Sequence, residues 1–229
     1  MRKIIIDTDP GQDDALAMMT AFGAKKDLNV LGVTCVAGNV PLDLTSVNAL
    51  KICELSGFFS VPVFRGSPAP LKRSLITAEH VHGKTGLDGT DLSVKKKELE
   101  PTDAVDFIIE CTEKYRDEKI TICALGPLTN IAKVLKQDTV LTESIEEIVL
   151  MGGGFFEGGN ITPAAEFNIY VDPEAAKIVL ESGLKITILP LDVTHKTLVQ
   201  RDFLEKLRKS GKNSAIQAAK LLDLSLIHI

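Results

Sequence analysis

Short runs of β-branched residues alternate along the chain with longer stretches whose apolar positions recur every three or four residues. The short runs predict strands at 3–8 (KIIIDT), 29–38 (NVLGVTCVAG), 61–66 (VPVFRG), 119–126 (KITICALG), 145–154 (IEEIVLMGGG) and 185–193 (KITILPLDV). The longer stretches predict helices at 13–24, 42–57, 104–115, 127–137, 172–183 and 198–211, two of them closed by Gly57 and Gly183. Between Pro68 and Pro101 periodicity is poor and glycines are dense, which predicts a long functional loop. The strands read as continuous apolar runs, the pattern of a parallel sheet covered on both faces. The βαβ order predicts a single α/β domain over residues 1–229, an open, doubly wound, mostly parallel sheet with helices on both faces.

In such sheets ligands bind beyond the carboxyl ends of the strands. The segments there are DTDPGQDD after the first strand, AGN after the second and LGPLTN after the fourth. MGGGFFEGGNITPAAEFN follows the fifth and LDVTH the sixth. All carry Gly, Asp, Asn or Thr, and all are expected to meet in one crevice.

The first segment crowds four carboxylates, Asp7, Asp9, Asp13 and Asp14, into eight residues. Helix capping accounts for one or two acids in a first turn. Four beside a Pro-Gly turn call for a neutralising cation, and oxygen ligands suit a hard one. An EF-hand is excluded, because counting from Asp7 the sixth residue is Gln12 and the twelfth is Met18. A Mg²⁺-dependent phosphatase, with Asp7 as nucleophile and Asp9 as acid/base, is a rival that leaves Asp13 and Asp14 unexplained. The glycines at 152–154 lack the spacing of a nucleotide triphosphate loop and suggest close backbone approach to a ligand.

DTDPGQDDALA closely resembles the N-terminal signature of the nucleoside hydrolases, the inosine–uridine-preferring family. VAGN at 36–39, HGKTGLDG at 82–89, ALGPLTNIA at 124–132, MGGG at 151–154, AEFNIYVDPEAA at 165–176 and PLDVTHK at 190–196 resemble the family in order and spacing. The resemblance implies the nucleoside hydrolase fold and calcium-dependent hydrolysis of the N-glycosidic bond of ribonucleosides, releasing ribose and a free purine or pyrimidine base. It implies Ca²⁺ held by Asp9, Asp14 and the carbonyl of Leu125, with Asp9 also the general base toward the attacking water. Asp13 then grips the ribose hydroxyls, Asn39 lies near water and sugar, and Asn160, Glu166 and Asn168 hold the ribose. His82 faces the leaving base. Charge building on the sugar ring during glycosidic cleavage explains why carboxylates gather there.

Composition narrows the setting. The net charge of −5 argues against a nucleic-acid surface, and the KKK run at 95–97 reads as a solvated loop. No apolar run reaches membrane-spanning length, and no basic-plus-apolar leader opens the sequence. Cys35, Cys53, Cys111 and Cys123 lack CxxC spacing and read as free thiols. A cytoplasmic salvage enzyme is expected, with a small-molecule ribonucleoside as partner and, by resemblance, a homodimeric or homotetrameric state. The family's later HD pair is not in this sequence, which ends KLLDLSLIHI inside an amphipathic stretch. A C-terminally incomplete domain is therefore expected, with weak catalysis or mere binding of ribonucleoside or Ca²⁺ as the alternative. His80 is read as structural or exposed, His195 as supporting, His228 as without a role, and Phe155 and Phe156 as flap or core.

Overall fold

The computed structural model describes residues 1–137 and 143–227, with the backbone alone for 224–227. His228 lies outside the described residues. The chain runs β1 (Arg2–Thr8), α1 (Gln12–Gly23), β2 (Leu28–Cys35), α2 (Leu42–Leu55), β3 (Val63–Arg65), α3 (Glu79–His82), α4 (Ala104–Lys114) and β4 (Ile120–Ala124). It continues with α5 (Thr129–Gln137), β5 (Ile145–Met151), α6 (Phe167–Val171), α7 (Pro173–Leu180), β6 (Ile186–Leu189), α8 (Leu191–Thr194), α9 (Arg201–Lys209) and α10 (Asn213–Ile227). The six strands form one sheet in the order β3-β2-β1-β4-β5-β6, and every pairing within it is parallel.

The alternation hidden inside the apolar runs decides which helix covers which face. In β1, Ile5 packs with residues of α4, α5 and α7, such as Ile108, Ile131 and Val179. Its neighbours Ile4 and Ile6 pack on the other side with Met18 and Phe22 of α1, Ile52 of α2 and Leu221 of α10. Side chains two apart share a face, so a strand with both neighbours apolar needs a helical layer on each side. Burying one such isoleucine contributes roughly 1.5–3 kcal/mol. β6 departs from this expectation. It is the sheet's edge strand, its residues are half-buried or exposed, and the sixth apolar run stops at Leu189, where Pro190 caps the short α8.

Two predicted helix ends hold for the expected reason: Gly57 and Gly183 take φ of +74° and +77°, where a side chain would be strained. The long segment before Pro101 is irregular except for the single turn α3. Its KKK run is a loop in which Lys95 and Lys96 are exposed as expected, while Lys97 is buried. The amides of Lys95, Lys96 and Lys97 donate to the Glu54 carboxylate, and Lys97 Nζ reaches the Phe59 carbonyl at 3.0 Å. The cause is long-range: Glu54, on the exposed end of α2, offers acceptors that the loop's unpaired amides need.

Buried polar side chains brace the sheet to its connections. Asn130, at the start of α5, donates to Asp7 Oδ1 at 2.8 Å and the Cys35 carbonyl at 3.0 Å, and accepts from the Ser67 amide at 2.8 Å. It thus ties α5 to β1, β2 and the segment after β3. Asp172 caps α7 through the Ala175 amide at 3.0 Å, and also takes the Thr129 hydroxyl at 2.7 Å and the Leu71 amide at 2.8 Å. On the far side of the sheet, Glu147 of β5 accepts the Thr187 hydroxyl of β6 at 2.6 Å and pairs with Lys185 and Arg2.

Asn130→Ala is expected to destabilise the protein by about 2–4 kcal/mol, because at least two buried backbone groups lose their partner at about 1–3 kcal/mol each. Urea unfolding measures it, and a loss below about 0.5 kcal/mol would mean that the brace contributes nothing. The Thr187 hydroxyl, then Lys185 and Arg2, hold the Glu147 carboxyl below its ordinary value of 4.5. A depressed carboxyl stabilises the fold above the unfolded-state value and loses that contribution as pH falls through the folded one. Glu147→Gln should therefore lower the thermal midpoint at pH 7 and converge with the parent below pH 4.5. A gap that persists unchanged at pH 3 counts against an ionic origin.

Candidate active site

From β1 the chain winds outward to β2 and β3, then returns to place β4 against the other side of β1. That reversal opens a crevice beyond the carboxyl ends of β1 and β4, the place where open α/β sheets take ligands. The Leu125 amide donates to the Asp7 carbonyl at 2.8 Å, which carries the β1–β4 ladder one step beyond the strands. The DTDPGQDD turn and the LGPLTN turn therefore lie side by side.

Asp9 is completely buried at this junction. Its Oδ2 accepts the Asn39 amide at 2.7 Å, its carbonyl accepts Asn39 Nδ2 at 3.0 Å, and its Oδ1 is buried without a hydrogen-bond partner. Gly38 and Gly126 flank the carboxylate, and a Cβ on either would overlap it. Asp14, on the first turn of α1, accepts the Thr8 hydroxyl at 2.6 Å, the Gly11 amide at 3.0 Å and Asn39 Nδ2 at 3.2 Å. Burial, then Asp13, pushes the Asp14 carboxyl up to about 7. Burial and the charge of Asp14 push Asp9 well above the ordinary carboxylate range. Two like charges withdrawn from water cost free energy unless a cation or a proton compensates them.

Asp7 does not belong with them. Its side chain turns into the sheet, where Thr34 and Asn130 hold Oδ1 at 2.6 and 2.8 Å, and burial raises it to about 6. Successive strand residues face opposite sides, so Asp7 is separated from a ligand by the sheet's own packing. The expectation of four cooperating acids is corrected to three. The phosphatase reading loses its nucleophile, because Asp7 is fully buried and bonded to its neighbours.

A pocket of about 120 Å³ opens at the crevice. Among its lining residues are Asp13, Asp14, Asn39, His82, Leu125, Asn160, Glu166 and Asn168, that is, every sequence-predicted site residue except Asp9, which lies buried behind. Asp13 is exposed and Asp14 is not, although they are adjacent on one helical turn. Glu166 caps α6: Oε1 takes the Asn168 amide at 2.9 Å, and Oε2 takes the Gly153 and Ile169 amides at 3.0 and 3.2 Å. Burial nonetheless raises its pKa. The MGGG backbone, expected to approach a ligand, is thus used to hold Glu166. Asn160 Oδ1 caps the Phe167 amide at 2.8 Å.

Asn168 lines the pocket with its side-chain amide turned to the backbone. Its Nδ2 donates to the Leu125 carbonyl at 2.8 Å and the Met151 carbonyl at 3.2 Å, so its donors are committed to backbone and its oxygen is what remains for a ligand. The same bond pins the carbonyl expected to bind a cation. The set Asp9, Asp14 and Leu125 carbonyl is all oxygen, contains a buried unpartnered oxygen and carries uncompensated negative charge, which fits a hard dication. Among the described residues no three His, Cys, Asp or Glu side chains form a metal cluster. A cation here would draw further oxygens from substrate or solvent.

Other side chains are placed as follows. His80 is exposed, as expected, and lines the pocket. His195 is not among the lining residues and stands 3.6 Å from Glu157. Phe155 and Phe156 are 67% and 96% exposed, so they are not core; the Asp192 carboxylate holds their amides at 2.8 and 2.9 Å. Gln12, read only as a mismatch to a calcium loop, is buried and bonds twice to His82. Thr8 and Gly126 also shape the acid site. Gly126 and Gln12 sat inside quoted motifs, which was their only signal; the partners they touch are about 70 or more residues away.

Known proteins resemble this chain in sequence and in fold. An uncharacterized protein of Schizosaccharomyces pombe (strain 972) is 51% identical over 194 residues, 85% of this chain and 62% of that protein. A pyrimidine-specific ribonucleoside hydrolase of Photobacterium profundum is 47% identical over 227 residues, 99% of this chain and 72% of its own length. The structure of a purine-preferring ribonucleoside hydrolase from Gardnerella vaginalis superposes with a TM-score of 0.94 at 32% identity, over 99% of this chain and 72% of that one. The chain thus spans from under two thirds to under three quarters of these relatives. The family model described as inosine-uridine preferring nucleoside hydrolase matches residues 4–227, nearly the whole sequence, and on the fold, the crevice and that match the chain belongs to the inosine-uridine preferring nucleoside hydrolase family.

Proposed function

We propose that this protein hydrolyses the N-glycosidic bond of ribonucleosides and does so with Ca²⁺ bound by Asp9, Asp14 and the Leu125 carbonyl. The observation that carries the reading is the buried Asp9 carboxylate, with one oxygen unpartnered, beside Asp14 and behind a pocket walled by Asn160, Glu166 and Asn168. When bound, the dication supplies the charge that keeps both carboxylates ionised and lowers the pKa of a water in its coordination sphere.

The chain's own groups do the rest. Asp9 Oδ1 accepts the proton of the attacking water, while Asn39 holds Oδ2 and so fixes the carboxylate's plane. Asp13, Asn39, Glu166, Asn160 and the Asn168 oxygen receive the ribose hydroxyls. Buried acceptors left unpaired by a deoxy sugar would reject it. Glu166 and the paired aspartates face the positive charge that develops on the ring as the bond breaks. His82 stands toward the leaving base. Relatives named for pyrimidines and for purines support ribonucleosides as the substrate class. Four free cysteines support a reducing, cytoplasmic setting and a salvage role, and the family resemblance suggests a homodimer or homotetramer.

The direct assay is reducing sugar released from inosine, uridine, cytidine and adenosine. Asp9→Asn should lower turnover by about 10²–10⁴-fold, since the amide keeps size and a ligand oxygen but takes no proton. Turnover within a few fold of the parent would remove Asp9 from the base role. Asp14→Ala should deplete bound calcium, read by atomic emission, while helical circular dichroism persists, because a lost cap costs only about 1 kcal/mol. Unchanged calcium content would place the ion elsewhere.

A further inference from the structure

His82 and Gln12 lie 70 residues apart in sequence and meet at the start of α1. Gln12 grips His82 at two points: Nε2 donates to the His82 carbonyl at 3.0 Å, and Oε1 lies 2.6 Å from the His82 ring Nδ1. A backbone carbonyl only accepts, so the amide nitrogen must face it. The other end of the same planar amide is then an oxygen, which also only accepts. The proton between Oε1 and Nδ1 therefore resides on Nδ1. Gln12 is buried, and turning it over would set its oxygen against the His82 carbonyl oxygen and lose the bond there. Gly11 supplies the space: a Cβ there would stand 2.5 Å from Nδ1 and 2.8 Å from Cε1.

We propose that Gln12 is a positioning residue that fixes neutral His82 as its Nδ1–H tautomer, so that Nε2 is the ring nitrogen which takes up a proton and passes it to the departing base. The proposal rests on the ribohydrolase reading above. The ring is oriented by the Gln12 amide, and a bond from Nδ1–H is kept in both charge states of the ring. In the transfer itself, Nε2–H breaks as the N–H bond of the base forms, and the ring returns to the Nδ1–H tautomer with no other proton to move. One β1–α1 turn thereby carries the acids that serve the sugar and the residue that orients the group serving the base.

Two measurements test this. Long-range ¹⁵N–¹H correlation spectra of the labelled protein, with the four histidines told apart by a His82→Gln variant, report the tautomer directly. Neutral His82 should be Nδ1–H in the parent, shift toward Nε2–H in Gln12→Met, and stay Nδ1–H in Gln12→Glu, whose carboxylate still accepts. An Nε2–H parent, or a Gln12→Met spectrum like the parent's, overturns the proposal. The second measurement compares turnover of inosine with that of a p-nitrophenyl riboside, whose phenolate leaves without an acid. Gln12→Met should lower the inosine to p-nitrophenyl ratio by about 10²-fold, the lower end of what an acid contributes, and Gln12→Glu should restore part of it. Equal losses on both substrates would make Gln12 merely structural. If neither substrate is hydrolysed, the ribohydrolase reading fails, and the spectra still decide the tautomer.

Discussion

The carboxyl edge of this sheet is organised around one electrostatic constraint: Asp9 and Asp14 are buried side by side. Burial lifts both: with the charge of Asp13 it brings Asp14 to about 7, and with the charge of Asp14 it raises Asp9 well above the ordinary carboxylate range. Carboxylates in that state hold a proton or hold a cation. The neighbours are chosen to permit either without collapse. Glycines at 38 and 126 leave the carboxylate room, Asn39 donates its amide to Asp9 and its side chain to Asp14, and Thr8 steadies Asp14. A larger side chain at either glycine would displace the very group on which the site turns.

Around that pair lies a shell whose members touch no candidate cation but fix where the others can be. Asn130 joins three strands' ends, and Asp172 joins α5, α7 and the loop at Leu71. Asn48 ties the Pro10 carbonyl to that of Thr85 at 3.1 and 2.7 Å, so the acid turn and the His82 loop are held as one unit. The Ala78 amide reaches the Asn39 carbonyl at 3.0 Å, beside the pocket. Each is buried and paired, and an unpaired buried group costs about 1–3 kcal/mol. The long segment before Pro101 thus keeps its shape although it contains only one helical turn.

The sheet's two halves differ in how they are covered. β1 and β4 are sandwiched between helical layers and supply the crevice. β6 lies at the edge, with exposed Leu180, Leu189 and Val193 nearby in the chain. The site is thus built on the most buried strands, where backbone motion is most restricted, and its loops hang from them.

The sequence by itself determined the sheet class, the alternation of elements, the helix ends at Gly57 and Gly183, and which turns meet at the crevice, except for LDVTH, none of whose residues lines the pocket. Those follow from short-range physics: apolar periodicity, turn residues and the rule that parallel strands need covered faces. It also marked Asp9, Asp13, Asp14, Asn39, His82, Leu125, Asn160, Glu166 and Asn168, though the last assignments came through family resemblance rather than spacing. Only the tertiary structure separated Asp7 from the other acids, because facing within a strand depends on register and on what packs beneath. Only it turned the Asn168 amide toward the Leu125 carbonyl, engaged the lysine run with Glu54 and joined Gln12 to His82. These contacts span 27 to 123 residues, and no local pattern states where a distant donor will find its acceptor.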